Sequence, residues 1–160
     1  MRTERLHGAL LTLSCATAIA GCAGDVRSAV LGPEQAEVVA EQCSRPNPPR
    51  YESTWLPALQ DIQQLEQDLP ALNALVPAGG GVQVGNAAAA GGYYRQYYGI
   101  VVHGRRLIYV NAFVESMYKS TDWKHYAIVV CDGGAGAWGA LYDPASRDFS
   151  GFAFNGRQGY

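Results

Sequence analysis

The most regular pattern in the chain is a run of apolar positions at Trp55, Leu59, Ile62, Leu65, Leu69, Leu72 and Val76, spaced by three or four residues. On an α-helix these positions form one continuous stripe. Ser53 or Thr54 can cap its start, Pro57 suits a first turn, and Pro77 stops it. Pro70 lies inside the run, where its missing N–H and its ring predict a kink or split near Asp68. Gln60, Asp61, Gln63, Gln64, Glu66 and Gln67 fall on the expected solvated side. A shorter stripe precedes it. Ala36, Val39, Ala40 and Cys43 stand at i, i+3, i+4 and i+7, behind Pro33 and with Glu34 and Glu37 at the positive end of the helix dipole. That spacing predicts Cys43 on an apolar face. Between the two, 44–50 holds Pro46, Pro48 and Pro49 and is read as an extended connector.

From Tyr93 the period drops to two. The alternation predicts strands over 93–102 and 106–114 around a turn at His103-Gly104-Arg105, then over 124–131, 137–142 and 148–154. Residues 78–92, rich in Gly and Ala, are read as a surface loop. Turns this short join antiparallel neighbours. The expected fold is α+β: an N-terminal amphipathic helix packed on a four- to five-stranded antiparallel meander, in two layers.

The first strand sends Tyr94, Gln96 and Tyr98 to one face and Tyr93, Arg95 and Tyr97 to the other. Exposed tyrosines around an arginine suit a contact surface, so Tyr93, Arg95 and Tyr97 are the candidate binding surface. Cross-strand aromatic packing is the competing use of the same residues.

Motifs that promise chemistry fall short of their structural context. Gly134-x-Gly136-x-x-Gly139 matches a dinucleotide fingerprint, but the residues after it alternate like a strand instead of opening a helix. Ser116-x-x-Lys119 has a nucleophile–base spacing, without the S-D-N and K-T-G partners. His103, His125, Glu115, Asp122 and Asp132 are the acid–base and metal candidates, and none shows ligand spacing. His125 is expected half-buried on a strand face. No catalytic residue, metal or cofactor is assigned; if there is an enzyme here, His125 and Asp132 would carry it.

The N-terminus has Arg2 and Arg5 ahead of an apolar run from Leu10 to Ala20, too short to span a bilayer. It ends in Ile19-Ala20-Gly21-Cys22, which resembles the lipobox of bacterial lipoproteins. The resemblance implies a signal peptide over 1–21 and lipidation of Cys22; ordinary cleavage after Ala20 is the alternative. It also implies sorting by the next residue, and Ala23 there points to the periplasmic face of the outer membrane in a host with two membranes. Cys15 then leaves with the signal peptide and Cys22 takes the lipid, so Cys43 and Cys131 remain. In an oxidising compartment they most simply form one disulfide, with a metal pair as the rival. The segments YRQYYGI, LIYVNAF, CDGG and YDP also resemble small proteobacterial envelope lipoproteins, which adds class and compartment but no activity.

Length and charge change little. With 160 residues the chain suits one domain, expected over 53–160 behind a lipid-anchored tether over 22–52. A formal net charge of −2 leaves no basic footprint for nucleic acid. The expected function is a non-catalytic binding module with an envelope protein as partner, either an assembly or maintenance factor or an inhibitor of an envelope-directed enzyme. A small periplasmic enzyme or a glycan-binding protein is the alternative.

Overall fold

The computed structural model describes residues 27–76, 92–118 and 122–156. They form an α+β domain around one six-stranded sheet. Its strands are β1 (Ser28–Val30), β2 (Ser53–Trp55), β3 (Tyr94–Val102), β4 (Arg105–Phe113), β5 (Ala137–Asp143) and β6 (Asp148–Phe154). Strands β3 to β6 are the expected meander, each antiparallel to the next. The β3–β4 turn is His103-Gly104, with φ of 49° and 72°. Positive φ at both central residues lets a two-residue turn follow the strand twist, and glycine adopts it without Cβ strain.

The sheet is not antiparallel throughout. Strand β1 runs parallel to β3 over Arg95–Tyr97, and β2 runs antiparallel to it over Gly99–Val101. Both therefore lie on the same edge of β3, end to end. Between them the chain leaves the sheet, crosses one face and returns. The described part of the expected tether is thus built into the domain, and no boundary stands at residue 53.

The long apolar stripe forms helix α2 (Leu59–Asp68), followed by a 3-10 segment over Leu69–Ala74. The change of helix type comes just before Pro70, where the α-helical hydrogen bond cannot be made. Ile62, Leu65, Leu69 and Leu72 are buried against the sheet. The stripe starts later than its periodicity implies. Ser53, Thr54 and Trp55 are strand β2, and no cap comes from them; the Ala58 N–H donates to Asp61 Oδ2 at 2.8 Å instead. Gln64 and Glu66, expected in solvent, reach the sheet with their side chains.

The first helix is also shorter than expected. A 3-10 turn over Pro33–Gln35 leads into α1 (Ala36–Ala40), which ends before Cys43. Ala36 and Val39 are buried, while Cys43 is exposed. It is nevertheless bonded to Cys131 across a sequence separation of 88, with a Cα–Cα distance of 5.2 Å.

Residues 124–131 are not a strand. Both edges of β4 are taken by β3 and β5, so no ladder position is free beside the residues this segment covers. It lies across the sheet, held by side chains. Gln96 Nε2 donates to the carbonyls of Trp123 and Tyr126 at 2.6 and 2.8 Å, and Gln96 Oε1 accepts from the Ile128 N–H at 3.0 Å. Asn111 Nδ2 donates to the Ile128 carbonyl at 2.8 Å. Together with α1, this segment covers the sheet face opposite α2, so the domain has three layers rather than two.

Candidate functional site

The expected contact surface does not exist on the folded domain. Tyr93, Arg95 and Tyr97 are all buried on the α2 face, with Arg95 only 1% exposed. The Tyr97 hydroxyl donates to Glu66 Oε1 at 2.6 Å, and Arg95 Nη2 lies 3.1 Å from Glu66 Oε2. The Tyr93 hydroxyl donates to the Ala135 carbonyl. Burial pushes the Tyr97 phenol well above its ordinary value, so it stays a donor. Arg95 and Tyr97 fasten helix to sheet, and Tyr93 ties the start of β3 to the turn ahead of β5.

The chemical candidates are scattered. His125 is exposed in a turn, not half-buried on a strand, and its Nδ1 lies 2.7 Å from Asp122 Oδ2. The Asp132 N–H donates to Ser44 Oγ, and no hydrogen bond or ion pair joins Asp132 to His125. His103 sits exposed in the β3–β4 turn. Gly134 to Gly136 form a 3-10 turn that runs into β5, so the glycine motif opens a strand. Cys22, Lys119 and the 78–91 part of the loop lie outside the described residues.

The domain does have a cleft, at the end of the sheet where β3 turns into β4 and β5 into β6. Its volume is about 470 Å³, and its lining includes Trp55, Asp61, Arg105, Arg106, Asp143 and Pro144. Trp55 owes its place to Gly99, its register partner on β3. A Cβ at Gly99 would meet the indole ring at 2.7 Å, so only glycine lets the ring lie on the sheet there. The indole Nε1–H is shared between the carbonyls of Ile100 and Leu107 at 3.2 and 3.1 Å. The Arg106 guanidinium stands 5.3 Å from the Trp55 ring centroid.

Arg105 is paired with Asp143 at the cleft's polar side. Burial works to raise the Asp143 carboxyl, but hydrogen bonds from Arg105 and from the Ala145 and Ser146 backbone outweigh it and hold the group below the usual carboxylate range. It is therefore ionised at neutral pH and unsuited to act as a general acid. Beside Trp55 in the chain, Leu56 and Leu59 are each 67% exposed. A half-buried tryptophan, two open leucines and a border of arginines and aspartates have the composition of a protein contact patch.

No family model matches this chain, and no curated protein or solved structure is significantly similar to it.

Sequence reasoning missed this cleft because its parts come from four separated segments. The one local signal was Trp55, which the helical spacing absorbed as the first residue of the stripe. A second missed group is Arg45, buried on the face opposite α2. Its guanidinium donates to the Tyr109 hydroxyl at 3.0 Å, to Asn155 Oδ1 at 2.7 Å and to Asn111 Oδ1 at 2.5 Å. No carboxylate among the described residues pairs with it. Gly139 leaves the space, since a Cβ there would lie 2.4 Å from the Tyr109 hydroxyl and 2.8 Å from Arg45 Nε.

Proposed function

We propose that this protein is a non-catalytic binding module, lipid-anchored through Cys22 at the periplasmic face of the outer membrane, and that it holds an envelope protein at the Trp55 cleft. The observation that carries the binding reading is the pair of open leucines beside Trp55 and the Arg106 that covers its ring. Trp55 in a cleft lined by Arg105, Arg106, Asp61 and Asp143, with two large apolar side chains open close by in the chain, matches the aromatic centre and polar rim of a recognition patch. The lipobox Ile19-Ala20-Gly21-Cys22 supports the anchor. The Cys43–Cys131 pair suits an oxidising compartment. Assembly factor and enzyme inhibitor are both uses of such a patch.

The test is capture. The mature chain, immobilised with its disulfide intact, is cross-linked to a host envelope extract and the retained material identified. One protein held stoichiometrically by the parent chain, and lost from Leu59→Ser and Arg106→Ala, is the expected result. Equal retention by parent and variants removes the cleft from the reading. Retention of glycan alone transfers the protein to the glycan-binding class, for which an aromatic flanked by carboxylates and arginines is also adequate chemistry.

A further inference from the structure

Arg27, the first described residue, and the cleft stand at opposite ends of β3. The sheet is entered at Arg27, whose carbonyl accepts from the Arg95 N–H, and β1 then pairs with the first part of β3. The cleft lies past the last part of β3. A nine-residue strand is about 26 Å from first to last Cα. From Cys22 to Arg27 the chain can span at most about 18 Å even when fully extended. This inference rests on the lipid-anchor reading above: if Cys22 is in the bilayer surface, the β1 end of the sheet is held beside it.

The residues at that end have a distinct character. Tyr94, Phe113, Tyr118 and Trp123 form an aromatic cluster in which Tyr94 lies 4.8 Å from Tyr118 and 5.1 Å from Trp123, ring centre to ring centre. Arg27 stands 5.8 Å from the Tyr94 ring and Lys124 Nζ 5.7 Å from the Trp123 ring. Tyr126, whose carbonyl is tied to Gln96 opposite β1, is 59% exposed. Phe113 and Trp123 are the buried base of this cluster, while Tyr118 is half-buried and Lys124 and Tyr126 are exposed; tyrosine and lysine are side chains that favour the zone between lipid headgroups and acyl chains.

We infer that the anchored protein rests its β1 end against the lipid surface, with Tyr118, Tyr126 and the Lys124 stem in the interfacial zone, and so turns the Trp55 cleft away from its own membrane. A partner then approaches from the aqueous side, and the short tether sets orientation as well as location.

The test uses the full, lipidated chain on vesicles of phosphatidylcholine brominated in its acyl chains, with two reporter variants at exposed positions. Tyr126→Trp adds fluorescence at the β1 end and Leu59→Trp adds it near the cleft. The expected result is that the fluorescence added by Tyr126→Trp is largely lost on brominated vesicles relative to unbrominated ones, while that added by Leu59→Trp is kept. Equal quenching of both, quenching of the Leu59→Trp signal alone, or quenching of neither while the chain stays vesicle-bound overturns the orientation and leaves the anchor standing. A mature chain whose mass shows no acyl groups, and which sediments with vesicles no better than Cys22→Ser, overturns the anchor reading and the orientation with it.

Discussion

Beneath α2 the sheet meets its cover through leucines and an ion pair, whereas on the opposite face it meets an irregular chain through amides and a cation, Arg45, bonded to neutral oxygens. On the α2 side, Ile62, Leu65, Leu69 and Leu72 pack on Ile108, Val110, Trp138 and Ala140, with Glu66 closing on Arg95 and Tyr97. On the other side, Leu31, Ala36 and Val39 pack on Tyr98, Ile100 and Tyr109, but Gln96 and Asn111 reach up to bond the cover's backbone, and Arg45 donates to neutral oxygens, with no carboxylate among the described residues paired to it. A helix satisfies its own peptide groups and needs only an apolar stripe to dock. An irregular cover brings unpaired N–H and C=O groups, so the sheet must carry polar side chains inward to receive them.

The comparison can be broken most severely at Glu66. Glu66→Leu removes a carboxylate paired with the buried Arg95 guanidinium, and chemical denaturation is expected to show a loss of about 3–5 kcal/mol. Removing the disulfide with Cys43→Ser and Cys131→Ser acts on the opposite cover. The chain-entropy model gives about 4–5 kcal/mol for a loop of this length, and about 2–4 kcal/mol is the usual yield. Amide exchange should then quicken over 122–131 more than over 59–68, and equal quickening would show that the two covers open together.

Gln96→Leu is expected to cost about 2 kcal/mol, since the Ile128 N–H and two carbonyls lose their partner while the side-chain volume is kept. Its signature is local, with exchange protection lost at Ile128 before it is lost in α2. The smallest effect belongs to pH. Asp68 accepts from Arg147 and Tyr142, and the Arg147 hydrogen bond above all holds its carboxyl below the ordinary value. Its contribution is therefore present above about pH 4 and lost as pH falls through the lowered folded value. Stability measured across that range should fall less steeply in Asp68→Asn than in the parent.

The contrast also explains what could be read along the chain. Periodicity reveals elements that satisfy their own backbone or a neighbouring strand, which is why α2, β3, β4, β5 and β6 were legible. Pro70 marked the change of helix type for a purely steric reason. The cover over 122–131 alternates in hydropathy as a strand does, yet its backbone is bonded by side chains, Gln96, Asn111, Gln35 and Asn155 among them, and nothing in the alternation says so. β1 and β2 are three residues each, too short for a period to show. At the candidate sites the limit was similar. Alternation assigned Tyr93, Arg95 and Tyr97 correctly to one face, but only Glu66, brought across from α2, shows that this face is interior. Trp55 fitted the helical spacing and in fact sits flat on Gly99, a contact set by strand pairing.

The parallel seating of β1 on β3 bears on how this domain would carry load. A pull on the chain ahead of β1, resisted by the body of the sheet, runs along the strand axis, so the β1–β3 hydrogen bonds are sheared together instead of being peeled one at a time. If that short seam gives way, the chain that pays out is the strap over 31–42, and extension stops at the covalent tie between Cys43 and Cys131. Helix α2, the meander and the Trp55 cleft lie beyond that stop, so tension at the N-terminal end unthreads the strap and leaves the cleft assembled.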